Sequence, residues 1–264
     1  MDVKRLFLIG CLAGGLLAPV GSSAGDAGAL ARIVPVQVPY EGPPKTEDIP
    51  NTTVPPLTGP MTPEQVKRAE ALLPMLEGKQ ELWAMGEFVH LGPPVVPVLV
   101  GALKMPGARL RYNAIETLSM IKDPGAVPAL LETAKTAEEM PRVREHALRV
   151  AVRLDAAQAP PAIEVMAKDP NPTIRKAAAF EARHVRSKAV IPVLIQLVPD
   201  DERFVAISAV QSLWLLTRHP TDMHDWENSS KEERVEWAQE WVDWWKESGA
   251  TFELPEPRRQ RPPL

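Results

Sequence analysis

Between Pro63 and Thr217 the chain alternates longer and shorter stretches whose apolar residues fall three, four and seven positions apart. That spacing puts them on one stripe of an α-helix. Arg109 to Leu131 reads as one amphipathic helix, a turn at Asp123-Pro124-Gly125 and the start of a second helix. The pattern recurs: an apolar residue and an arginine, an alanine three residues on, small or apolar residues four and seven beyond it, and then a proline. Leu110, Arg111, Ala114, Leu118, Ile121 and Pro128 make one copy. Val143, Arg144, Ala147, Ala151, Leu154 and Pro161 make the next, and Ile174, Arg175, Ala178, Ala182, Val185 and Pro192 a third. Ala84, Phe88, Leu91 and Pro97 form a degraded earlier copy; Val205, Ala209, Leu213 and Leu216 form a later one with Ala206 in place of the arginine. The period is 31 to 33 residues, and long runs of alternating β-branched residues are lacking. The predicted fold class is therefore all-α, an array of stacked helix pairs.

One such pair cannot bury its apolar stripe alone, but stacked copies can, with alanine at the fifth position letting neighbouring helices approach. These residues resemble HEAT repeats, and more narrowly the HEAT-like subtype named after the phycobilisome lyases, from about Leu82 to Leu216. The resemblance implies an α-solenoid of about five helix pairs forming a right-handed superhelix. The helix with Val-Arg-x-x-Ala would line its concave side and the proline-bearing helix its convex side. It also implies an acidic residue six positions before each arginine. Asp169 precedes Arg175 and Glu138 precedes Arg144 in this way, Asp200 is present without its arginine, and Met105 breaks the pattern before Arg111. Arg111, Arg144 and Arg175, with Asp169, are expected to build an inter-repeat hydrogen-bond ladder.

The ends differ in character. Residues 1–24 combine a basic start at Lys4 and Arg5, an apolar run from Leu6 to Val20 and small residues up to Ala24. A spanning helix needs about 20 apolar residues, so the shorter run reads as an export signal cleaved after Ala24. The alternatives are an uncleaved anchor, or a lipidated Cys11 in Leu8-Ile9-Gly10-Cys11. The predicted location is periplasmic or secreted. Residues 25–61, proline-rich and without helical periodicity, are expected to be a disordered tether, and 250–264 a disordered tail. Thr62-Pro63-Glu64-Gln65 opens the folded part with a capping-box spacing, so 62–217 is the predicted solenoid.

Cys11, the only cysteine, lies in the signal; the remaining chain has no disulfide, thiolate nucleophile or cysteine ligand. Net charge is -4 and becomes -5 without residues 1–24, a poor balance for nucleic acid. Six of seven tryptophans lie between Trp214 and Trp245, and Ser230 and Glu233 start a helix that carries Trp237 and Trp241. Residues 218–249 are therefore predicted to be a loop and a Trp-rich helix closing the end of the array. A sugar-stacking or partner-binding aromatic face is the alternative. His219, Asp222, His224 and Asp225 offer metal donors, but their spacing fits no helical zinc motif. No nucleophile elbow or phosphate-binding glycine loop is present, and no cofactor is predicted.

The third, seventh and tenth positions of each motif point away from the core stripe. They read Tyr112, Glu116, Ser119; Glu145, Arg149, Val152; Lys176, Phe180, Arg183; and Ile207, Gln211, Trp214. Such a mixture of aromatics and arginines is typical of binding hot spots. Ile207 and Trp214 are expected beneath the last helix, leaving Tyr112, Glu116, Arg149, Lys176, Phe180 and Arg183 as the predicted partner-binding residues. The function predicted is a non-catalytic exported solenoid that binds a protein or extended peptide in the cell envelope. A chromophore-lyase-like enzyme, by family resemblance, and a purely structural envelope scaffold are the competing readings.

Overall fold

The computed structural model describes residues 59–222 and 224–256. The predicted export signal, most of the tether and residues 257–264 lie outside the described residues. Eleven α-helices and no strand occur among the described residues, and the fold is an α-solenoid. The helices are α1 (Pro63–Leu72), α2 (Glu81–Leu91), α3 (Val96–Ala102), α4 (Ala108–Ile121), α5 (Val127–Lys135) and α6 (Pro141–Asp155). They continue with α7 (Pro160–Met166), α8 (Pro172–Ala182), α9 (Val190–Leu197), α10 (Arg203–Thr217) and α11 (Lys231–Ser248). None is long and apolar enough to cross a membrane.

Local chemistry starts the helices where the sequence punctuates them. Thr62 Oγ1 accepts the Gln65 N–H at 3.3 Å while Gln65 Oε1 accepts the Thr62 N–H at 2.8 Å, closing the capping box of α1. Proline occupies the first or second position of α3, α5, α6, α7 and α8, where its missing N–H costs no helical bond. The motif helices α2, α4, α6, α8 and α10 stack side by side in one layer, and α5, α7 and α9 stack in the other. Each short helix packs on the longer one that follows, as α5 does on α6. Leu118, Leu130, Leu148, Ile163, Ile174, Leu194 and Leu213 fill the space between the layers with no exposure.

The arginines form the expected ladder, but with a different register of partners. Arg111 pairs through two nitrogens with Glu139 of the next repeat, and its Nη1 donates to the Met105 carbonyl at 2.9 Å. Arg144, only 4% exposed, pairs with Asp169 at 2.5 Å and donates to the Ala134 carbonyl at 2.9 Å. Arg175 holds both oxygens of Asp200 at 2.7 and 2.9 Å and donates to the Asp169 carbonyl at 2.9 Å. For Arg111 and Arg175 the residue six positions earlier, Met105 or Asp169, thus serves the arginine with its backbone, whereas Arg144 uses the carbonyl of Ala134. The side chain of Asp169 serves the arginine one repeat earlier. Met105 is no defect in this scheme, because Glu81 stands at the arginine position of the preceding copy. Glu138 is not the acid of its turn; it is exposed, and the neighbouring Glu139 turns inward.

The same scheme explains the C-terminal end. Ala206 cannot use the Asp200 carbonyl, and Arg234 of α11 takes it instead, at 3.0 and 3.2 Å. Arg234 also donates to the carbonyls of Asp201 and Ser229, at 3.1 and 2.9 Å. The α11 helix starts with the Ser230–Glu233 capping box and packs against α9. Trp214 is partly buried, and its Nε1 donates to Thr221 Oγ1 of the loop after α10 at 2.9 Å. The expected frayed tail instead begins with a packed segment. Phe252 meets Trp244 edge-on at 5.2 Å, and Arg186 and Arg218 donate to the carbonyls of Pro255 and Glu256 at 2.8 Å. Burial of Phe252 and Leu254 against the core holds residues 250–256 down.

Candidate functional site

The third, seventh and tenth motif positions share one side of the motif-helix layer, here called the open face. It runs from α2 to α10 and carries exposed apolar side chains at both ends. Leu82 is 79% exposed on α2, with Val89 two turns on; Phe204 and Leu215 lie on α10. Its middle, on α4, α6 and α8, is charged and aromatic.

Tyr112 stacks on the His146 ring with centroids 4.3 Å apart, and the Arg142 guanidinium lies over the tyrosine ring at 4.6 Å. A groove of about 520 Å³ opens beside them, lined by Arg109, Tyr112, Asn113, Met140 and Arg142. Glu116 Oε2 lies 2.9 Å from His146 Nε2 but off the line of a good hydrogen bond, and neither ring nitrogen has an aligned partner among the described residues. Arg149 reaches Glu145 at 2.6 Å and, across to α8, Glu181 at 3.5 Å. Phe180 is half-exposed beneath the Arg183 guanidinium at 4.1 Å. Arg183 Nε donates to Ser212 Oγ of α10 at 3.2 Å, while its Nη2 is buried with no acceptor among the described residues. Lys176 is exposed one turn before Phe180.

The structure thus brings Tyr112, Glu116, Arg149, Lys176, Phe180 and Arg183 onto one face, each next to residues that the motif positions alone do not nominate. His146 is one of these, at the fourth motif position and 5% exposed. Glu181 is another, at the eighth position and 4% exposed, where Thr117 and Ser212 stand in other repeats as buried polar residues. A carboxylate at a register held by Thr117, Val150 and Ser212 in the copies from Leu110, Val143 and Val205 was the signal available in the sequence. Burial pushes the Glu181 carboxyl above its ordinary range against the pull of His184, Arg149 and Arg153, and burial also lowers the Arg183 guanidinium.

Four residues with metal donors are not gathered. The His219 ring stacks on Trp244 at 4.5 Å, and the His224 ring stacks on Trp237 at 4.3 Å with Nε2 2.8 Å from Glu240. Asp225 closes its own turn by accepting from Asn228, and Asp222 is exposed. Large aromatic surfaces thus pull the two imidazoles apart, and no group of three or more metal donors is gathered among the described residues.

Motif spacing, layer order and the arginine ladder agree with a comparison against known families, in which the model for HEAT repeats matches residues 80–150 and 135–214. The chain belongs to the HEAT-repeat family. No curated protein matches it. Within these HEAT repeats the ladder ties successive repeats together, and the open-face positions differ in charge and size from copy to copy. HEAT repeats are in general protein-interaction scaffolds.

The buried imidazole gives the open face a pH dependence. Burial, the largest effect on His146, holds it below its ordinary 6.5, aided by Arg149 and Arg153 and opposed by Glu116. The folded protein takes up the proton on this ring less readily than the unfolded chain, which does so around pH 6.5, so this contribution is full above that value and is lost as the pH falls below it. Glu181, with its raised pKa, works in the opposite sense. Urea midpoints at pH 7.5 and 5.5 should therefore fall less for His146→Phe, which keeps the stack on Tyr112, than for the wild type. An equal fall would show that His146 stays protonated or solvated in the folded protein.

Proposed function

We propose that the protein is a non-catalytic HEAT-repeat scaffold, exported to the cell envelope, whose open face binds a protein or an extended peptide segment. The observation that carries this reading is the open face itself. It combines exposed Leu82, Phe180, Phe204 and Leu215 with arginines and a stacked tyrosine, a richer set than a solvated helix surface needs. The family resemblance implies that this face lies on the concave side. From Tyr112 on α4 to Phe180 on α8 is two helix spacings, about 20 Å, or roughly six residues of extended chain. The sequence of residues 1–24 supports export, and α11, seated on α9 with Arg234 in the last arginine's place, suits closure of the C-terminal end.

The test is to change Tyr112, Arg149 and Phe180 to alanine together. Affinity capture from the protein's own cell envelope should then lose its partner by about tenfold or more while the helical circular dichroism spectrum stays unchanged. Undiminished capture would place the binding surface elsewhere.

A further inference from the structure

The centre of the open face has more cations than carboxylates. Arg142, Arg149, Arg153, Lys176 and Arg183 stand on α6 and α8 or directly after it, against Glu116, Glu145 and Glu181. Each carboxylate is already engaged: Glu116 lies against His146, and Arg149 spans Glu145 and Glu181. Arg142, Arg153, Lys176 and Arg183 have no carboxylate within ion-pair distance among the described residues. This surplus occurs in a chain of net charge -4. It converges on the buried Glu181, whose carboxyl lies 3.5 Å from Arg149 and is also acted on by Arg153 and His184. Arg183 is partly buried and meets only Ser212 Oγ, at 3.2 Å.

We propose that Arg149, Arg153 and Arg183 around Glu181 receive a carboxylate side chain of an acidic extended peptide, whose neighbouring apolar side chain packs on Phe180. The inference rests on the open-face reading and gives the partner's chemistry. A planar guanidinium pairs with a carboxylate through two parallel hydrogen bonds, and Arg153 is exposed and available to make them. Phe180, 42% exposed and flanked by Lys176 one turn away, offers the apolar contact beside it. A phosphate backbone fits less well, because Glu116 and Glu145 sit on the same face and would repel a continuous polyanion.

The test pans a phage-displayed library of random twelve-residue peptides against the full chain and measures the enriched peptides by fluorescence anisotropy. Aspartate or glutamate next to a large apolar residue should dominate the enriched set. Replacing those acids with asparagine or glutamine should weaken binding by about tenfold or more. Arg153→Glu, at an exposed position where folding is safe, should weaken it similarly, and Arg183→Met should do so with an unchanged circular dichroism spectrum. Enriched peptides that are neutral or basic overturn the proposal, as does binding unaffected by the acid-to-amide change. In either case the open-face reading stands if the Tyr112, Arg149 and Phe180 triple variant loses those peptides. A DNA duplex that competes at equal affinity overturns it in favour of nucleic acid, and a library with no enriched peptide counts against both readings.

Discussion

Replacing Arg144 with methionine lowers the free energy of unfolding by about 3–5 kcal/mol, the scale for removing one partner of a buried ion pair. Both side chains of the Arg144–Asp169 pair are at most 8% exposed, so little water reaches the carboxylate left behind. The Ala134 carbonyl loses its donor at the same time. The cost is mostly that of stranded groups and not the net worth of the pair, so the second substitution should give part of it back. Asp169→Asn removes the charge yet keeps Oδ1 for the Asn171 N–H, now 2.8 Å away. The double variant should recover roughly half of the loss. Urea unfolding followed by circular dichroism measures both. A single-variant loss under about 1 kcal/mol would mean that the ladder is not a structural element of the array.

Trp241→Ala is expected to cost about 3–5 kcal/mol as well, for a different reason. Trp241 is 1% exposed and packs edge-on against His219 at 5.6 Å and Trp244 at 5.8 Å. Truncation leaves a cavity the size of an indole between α11 and the loop after α10. A stack in which each repeat touches only its neighbours confines such damage. Amide hydrogen exchange should therefore accelerate first over α9, α10 and α11, while α4 and α6 keep their protection. Uniform acceleration along the chain would show one cooperative unit with no special role for the C-terminal packing.

Much of this architecture is legible from spacing alone. The stripe of Leu110, Ala114, Leu118 and Ile121 identifies both the helix and its buried side, because helical geometry repeats every 3.6 residues wherever the sequence is. The pairing of the ladder is harder to read. Arg111 meets Glu139 and not an acid in its own turn, and choosing Glu139 over Glu138 depends on how that turn folds. The docking of α11 on α9, and the return of Phe252 onto Trp244, depend on long-range packing that no local pattern encodes. On the open face, the motif positions indicate Tyr112, Arg149 and Phe180 directly. His146 and Glu181 remain hidden because helical position counts them as flanks of the core, and only stacking brings Glu181 to Arg149 of the preceding repeat.

The central claim is that binding belongs to the open face and not to the other layer. It is tested most directly by comparing two triple variants in one capture experiment from the cell envelope. One carries Tyr112→Ala, Arg149→Ala and Phe180→Ala; the other carries Glu164→Ala, Val165→Ala and Lys168→Ala, at exposed positions on and just after α7. The first variant should lose the partner by about tenfold or more and the second should retain it. Retention by the first and loss by the second would contradict the central claim.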